Sequence, residues 1–177
     1  MITLFRDKAD ILWDKYWKET KKEWFKVEVL QDYQGEDDGP SLNHWLKGNK
    51  EKSIKFMDEE ISKEDWVQEF KNTSFKKIRI HIVEKPYTPY VKWEIEHYKH
   101  INIPLAGERV FLIDKKETES WNIPDGDFVI FDQKRVARNY YDKSGREYKM
   151  DFYDEKDNIR YFLELRKNLF KKAIEIK

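Results

Sequence analysis

The chain has 177 residues, of which 40% are charged and 16% aromatic, and its formal net charge is zero. That length suits one domain with a real core. The charge balance argues against a broad nucleic-acid or anionic-membrane footprint, though not against a local patch. With no cysteine, disulfides, thiolate zinc sites and a cysteine nucleophile are excluded.

The first residues, Met1-Ile2-Thr3-Leu4-Phe5-Arg6-Asp7-Lys8, turn charged too soon for a signal peptide. No apolar run approaches the ~20 residues of a membrane helix. The expected setting is the cytoplasm, with no membrane partner.

Residues 7–22 read as a helix, with Asp7 as cap and Asp10 three residues on. Leu12, Trp13, Tyr16 and Trp17 give it a broad aromatic face. Residues 24–33 read as a strand, with Phe25, Val27 and Val29 on one side and Lys26 and Glu28 on the other. Residues 34–40 form a polar loop whose acidic cluster lacks the spacing of a calcium loop. Residues 41–47 suit a short helix capped by Ser41 and stopped by Gly48. Residues 49–60 read as charged and irregular. Residues 62–71 read as a helix, with Ser62 and Asp65 as a capping pair and Trp66, Val67 and Phe70 as its apolar face.

The stretch 77–114 organises the rest. In 77–83, Ile78, Ile80 and Ile82 alternate with Arg79 and His81, the period of a strand with one buried face. Glu84-Lys85-Pro86 ends it. Two readings compete for 88–100. A strand would align Val91, Trp93, Ile95 and His97; a helix would align Tyr90, Trp93, His97 and Ile101. Thr88 at the cap, Pro89 at the first turn, and Lys99 with His100 at the end favour the helix. Residues 110–113 then make a buried strand, and the unit becomes a right-handed parallel strand–helix–strand. Were 88–100 a strand, the unit would be an antiparallel meander.

Residues 115–126 form a loop turned by Pro124-Asp125-Gly126. Phe128-Val129-Ile130-Phe131 is apolar on both faces and reads as a covered central strand. Turns at 132–135 and 142–145 flank a returning strand, 136–141. Tyr148, Met150 and Phe152 alternate on the next, completing an antiparallel meander. Residues 157–174 form a closing helix with Ile159, Phe162, Leu169, Phe170 and Ala173 at helical spacing. The expected fold is α+β in a single domain, 1–177. It has a mixed, mostly antiparallel sheet of five or six strands, flanked by N-terminal, central and C-terminal helices.

Chemistry is harder to read. Glu94, His97 and His100 follow a metal-ligating helical spacing, but a second such motif is missing. No metal and no cofactor are therefore expected. His97-Tyr98-Lys99 begins the His-x-Lys-x4-Asp motif of phospholipase D and fails at Pro104. No Gly-x-Ser-x-Gly elbow and no glycine-rich phosphate loop occur. Glu84, Glu108, Asp127 and Asp132 lie at strand ends, where a cluster could act as acid and base or hold an ion. The simpler reading is that Asp127 and Asp132 are turn residues flanking a buried strand. Lys71, Lys76, Lys77 and Arg79, interleaved with Phe70 and Phe75, could contact phosphates, although a solvated face is the simpler reading.

Several segments resemble an uncharacterised bacterial family, a domain of unknown function whose members are often encoded beside helix-turn-helix transcription regulators. They are Phe25-Lys26-Val27-Glu28 with Tyr33, Arg79-Ile80-His81-Ile82-Val83-Glu84-Lys85-Pro86, and Tyr90-Val91-Lys92-Trp93-Glu94. Gly107-Glu108, Asp127-Phe128-Val129-Ile130-Phe131-Asp132, Tyr141-Asp142 and Gly145 follow. The resemblance spans 25–173. It implies one domain and a regulatory or signalling role, and it brings no catalytic residues.

The function expected first is a non-enzymatic regulatory or interaction module that binds a regulatory protein partner or a small-molecule effector. Tyr87, Tyr90 and Trp93 would form its exposed contact patch. The alternatives are an enzyme acting on a nucleotide or phosphodiester, with Arg79, Glu94, Glu108 and Asp132 in one pocket, and a nucleic-acid binder using 71–79. Arg79, Tyr90, Trp93, Glu94, Glu108, Asp127 and Asp132 are the candidate binding residues.

Overall fold

The computed structural model describes residues 1–33 and 39–177. The acidic loop expected at 34–40 therefore lies largely outside the described residues. The chain runs β1 (Ile2–Leu4), α1 (Arg6–Glu19), β2 (Glu23–Glu28), α2 (Gly39–Leu46), α3 (Lys50–Glu59), α4 (Asp65–Lys71) and β3 (Lys76–Val83). Then follow α5 (Pro89–His97), β4 (Glu108–Asp114), β5 (Phe128–Phe131), β6 (Arg135–Tyr141), β7 (Glu147–Tyr153), α6 (Lys156–Lys172) and β8 (Ile174–Glu175).

The strands form one mixed sheet of eight, in the order β1-β7-β6-β5-β2-β3-β4-β8. That exceeds the five or six expected. The two extra strands, β1 and β8, are the outer edges, three and two residues long. They are too short to carry a period of their own. Pairing alone makes them strands: Ile2 against Phe152, and Ile174 against Leu112.

The central unit is the strand–helix–strand. β3 lies parallel to both β2 and β4, with α5 as the crossover between β3 and β4. Thr88 caps α5 by accepting from the Val91 N–H at 3.0 Å, and Pro89 follows at the first turn. The helix then widens into a π-helical segment, Tyr98–Asn102. β5, β6 and β7 form the expected antiparallel meander.

Four local expectations change. Residues 49–60 are largely helical as α3 rather than irregular, because Ser53 and Met57 bury against the neighbouring helices and packing outweighs surface charge. Ser41 sits inside α2 and is buried, its hydroxyl 3.0 Å from that of Ser53. Ser62 lies in a tight turn before α4, whose cap position is Glu64. Phe5, not Asp7, takes the cap position of α1.

The sheet is covered on both sides. α6 lays Ile159, Phe162, Leu165 and Leu169 over Phe25, Val27, Ile80, Phe128 and Ile130. On the opposite face α1 packs Tyr16 and Trp17 against Trp24, Phe131 and Phe152. Leu42, Met57, Val67, Tyr90, Trp93 and Ile101 join the remaining helices into a third cluster. Each such side chain contributes roughly 1.5–3 kcal/mol on burial. The consequence for function concerns the second face: the polar residues of β2 and β3, read as solvent-facing, lie beneath helices instead.

Candidate functional site

Parity on the strands decides which residues meet. Lys26 is opposite Arg79, and Glu28 is opposite His81. All four point to the face covered by α5 and its π-helical extension, so four charged or ionisable groups share one covered surface. Such groups must find partners inside the protein.

Arg79 is the hub. Its Nε donates to Glu108 Oε2 at 2.7 Å, its Nη2 to Glu108 Oε1 at 3.0 Å, and its Nη1 to Glu28. The guanidinium carbon lies 5.5 Å from the Trp24 ring centroid and 5.6 Å from that of Tyr98, within cation–π range of both. Lys26 reaches Glu28 Oε1 at 2.8 Å. Tyr98 donates to Glu28 Oε2 at 2.6 Å, and its oxygen is 3.1 Å from His81 Nδ1. Asn102 donates to Glu108 at 2.9 Å and accepts from His97 Nδ1 at 2.8 Å.

Electrostatics follow from this wiring. Burial alone would raise the Glu28 carboxyl, but Arg79 and then Lys26 hold it well below the usual carboxylate range. Burial would likewise lower the His81 imidazole, yet the carboxylates of Glu94 and Glu28 raise it to about 9. His97 goes the other way. Burial lowers it to about 4, against the opposing hydrogen bond that His97 donates to Asn102.

A second buried carboxylate lies one strand over. Asp127 accepts from the Val29 N–H and from the hydroxyls of Tyr33 and Tyr141, each at 2.9 Å. It is fully buried, and burial raises it to about 6. Gly126, just before it, has φ +93°, and a Cβ there would fall 2.1 Å from the Asn139 carbonyl oxygen.

Above Tyr141 opens a cleft of about 570 Å³ at the carboxyl ends of β2 and β3. Val29, Leu30 and Ile82 line it, together with Thr118, Glu119, Asn122 and Asp125 from the loop after β4 and with Tyr140 and Tyr141. The size is that of a small-molecule site.

The candidate residues therefore divide. Arg79, Glu94 and Glu108 do converge, on a network that sequence reading met only in pieces. Asp132 stands apart from it: its carboxylate accepts from the backbone N–H groups of Lys21, Lys22 and Glu23 at 2.7–2.9 Å. Tyr90 and Trp93 are only 6% and 5% exposed, so they do not form the expected surface patch. The basic stripe fails for the same reason. Lys77 donates to the Phe70 carbonyl at 2.6 Å, and both Lys77 and Arg79 are buried.

Glu28, His81, Tyr98, Tyr33 and Tyr141 were missed as site residues. The available signal was the shared parity of Lys26/Glu28 and Arg79/His81 on neighbouring strands, combined with a crossover helix that had to cover one face. The histidine that Glu94 meets is His81 on β3, not one of its neighbours along the helix. His97 turns to Asn102 and His100 to Asp58, while Glu94 Oε2 lies 3.1 Å from His81 Nδ1.

No curated protein matches this chain. Among solved structures, an archaeal chromatin protein, TrmBL2, described as showing a novel mode of DNA binding, is similar at 12% identity and a TM-score of 0.45. That likeness covers 99% of this chain and 55% of the other, so the chain spans about half the length of that protein. The segments that hold Lys26, Glu28, Arg79, His81, Glu94, Glu108 and Asp127 are those on which the family resemblance rests. A family model matches residues 12–177, and the chain thus belongs to the family described as a domain of unknown function, DUF6879.

Proposed function

We propose that this chain is a regulatory module that binds a small molecule in the cleft at the carboxyl ends of β2 and β3. The cleft itself carries the reading. In open sheets with parallel strands, ligands settle outside the carboxyl ends, where loops supply the polar contacts. Here the lining combines apolar Val29, Leu30 and Ile82 with polar Thr118, Asn122 and two tyrosines. The buried network ties β2, β3 and α5 together on the other face of the same strands.

Charge narrows the ligand class. Glu119, Asp125 and Asp142 line the cleft beside one lysine, Lys115, which pairs with Glu84 at 2.8 Å. A neutral or cationic compound fits this balance, and a phosphorylated one is repelled. The nucleotide-directed enzyme loses support for the same reason, and because all three Arg79 nitrogens already serve Glu28 and Glu108. A nucleic-acid surface at 71–79 loses support because Lys77 and Arg79 are turned inward.

A thermal-shift panel of metabolites grouped by charge tests the reading. A true ligand at 100 times its dissociation constant stabilises the native state by about 2.7 kcal/mol. A neutral or cationic hit is expected, and Glu119→Lys with Asp125→Lys, both at exposed positions, should abolish it. A hit that survives this double substitution would place the ligand elsewhere. Silence across the panel would remove the small-molecule reading and leave a protein partner.

A further inference from the structure

We propose that Glu28, His81 and Glu94 form a binding site for a divalent transition-metal ion of the zinc or manganese class. One ligand-capable atom from each lies within 4.8 Å of the other two, and all three residues are buried. They come from β2, β3 and α5, three elements already locked together, so the site rests on rigid supports.

The orientation of His81 is the first argument. Its Nε2 lies 2.8 Å from the Leu30 carbonyl oxygen. A carbonyl only accepts, so Nε2 carries the hydrogen and Nδ1 faces the cluster. Metal-bound histidines are oriented this way, by a backbone or carboxylate partner on the far nitrogen.

Glu94 is the second and independent one. Its Oε2 is buried and makes no hydrogen bond among the described residues, although it lies 3.1 Å from His81 Nδ1. Tyr98 offers no relief, because its hydroxyl proton goes to Glu28. His81 Nδ1 and the Glu94 carboxylate oxygen thus face each other across a gap that one positive charge must fill, a proton on Nδ1 in the unloaded site or a metal ion that displaces that proton. Two ligands bound ~2.1 Å from one tetrahedral ion lie about 3.4 Å apart, close to the spacing seen. Glu28, Glu94 and Glu108 also outnumber Lys26 and Arg79, leaving one negative charge that either a proton on His81 or a bound cation meets. A mixed set of imidazole and carboxylate suits zinc or manganese better than magnesium, which prefers oxygen and water.

The site is distinct from the cleft. None of its three ligands lines that space, although Leu30 and Ile82 do.

The full chain, freed of metal with a chelator, is titrated calorimetrically with Zn²⁺, Mn²⁺ and Mg²⁺, and protein purified without added metal is assayed for bound elements. One equivalent of Zn²⁺ or Mn²⁺ per chain is expected, with weaker Mg²⁺ binding and a raised melting temperature. Glu94→Gln should weaken binding by about tenfold or more. His100→Gln, which removes the exposed His100–Asp58 pair, should leave it unchanged. If Glu94→Gln does not fold, the Co²⁺ spectrum of the wild-type protein decides, since a nitrogen–oxygen set of low coordination number differs from hydrated Co²⁺. Binding below one equivalent, binding retained in Glu94→Gln or lost in His100→Gln, or a hydrated Co²⁺ spectrum would overturn the site and leave a proton on His81 as the balancing charge.

Discussion

Arg79 and Glu108, on neighbouring parallel strands, meet through two parallel hydrogen bonds of 2.7 and 3.0 Å. This fork is bidentate and buried, and it is backed by Glu28 on the other side of the guanidinium. Arg79→Ala would leave two buried carboxylates without their partner. The expected loss is about 3–5 kcal/mol in urea denaturation. Replacing the set, as Arg79→Met with Glu28→Gln and Glu108→Gln, should recover part of it, since the guanidinium and both its carboxylates go together and only Lys26 loses a partner. A loss under about 1 kcal/mol in Arg79→Ala would mean that water enters the network.

Asp132 pins the entry to β2. It sits at φ +52° in the β5–β6 turn and accepts three backbone N–H groups that open β2. Those hydrogen bonds hold its carboxyl below the usual range, although burial opposes them. Asp132→Ala should destabilise by roughly 2–4 kcal/mol, since the donors lose their acceptor and the left-handed backbone loses its compensation. Ligand affinity at the cleft should not change. Chemical denaturation and a binding isotherm on the same variant separate the two effects.

His97 should make the fold acid-sensitive. It is lowered to about 4 in the folded chain, with burial the main cause, against ~6.5 when unfolded. The unfolded chain therefore binds the proton first, and stability falls as pH drops from about 6.5 toward 4. The ring is partly exposed, so the contribution is on the order of 1–3 kcal/mol. His97→Gln should flatten that part of the stability–pH curve. An unchanged curve would show that other groups set the acid limb.

Two glycines with similar backbone angles should respond differently to alanine. Gly126→Ala places a Cβ 2.1 Å from the Asn139 carbonyl oxygen, whereas Gly48, at φ +81°, has nothing within 4 Å. Gly48→Ala should cost about 1 kcal/mol, the left-handed penalty alone. Gly126→Ala must in addition separate β6 from the loop that carries Asp127, and should exceed about 4 kcal/mol or prevent folding. Equal melting temperatures for the two variants would count against this packing.

Local pattern was enough for the six inner strands, and it favoured α5 with its Thr88 cap, and with it the parallel crossover, over an antiparallel meander. Those signals are short-range: alternation in Ile78, Ile80 and Ile82, a cap followed by proline, and an apolar run at 128–131. Other features depended on neighbours distant in the chain. β1 and β8 are strands because they pair, and α3 is a helix because Met57 buries. The site belongs to this second group. Alternation places Lys26, Glu28, Arg79 and His81 on the polar side of their strands, and for an isolated sheet that side faces water. The crossover of α5 above it turns a solvated face into a closed ionic network. That change in surroundings, from water to protein, decides which charges pair and which histidine meets Glu94.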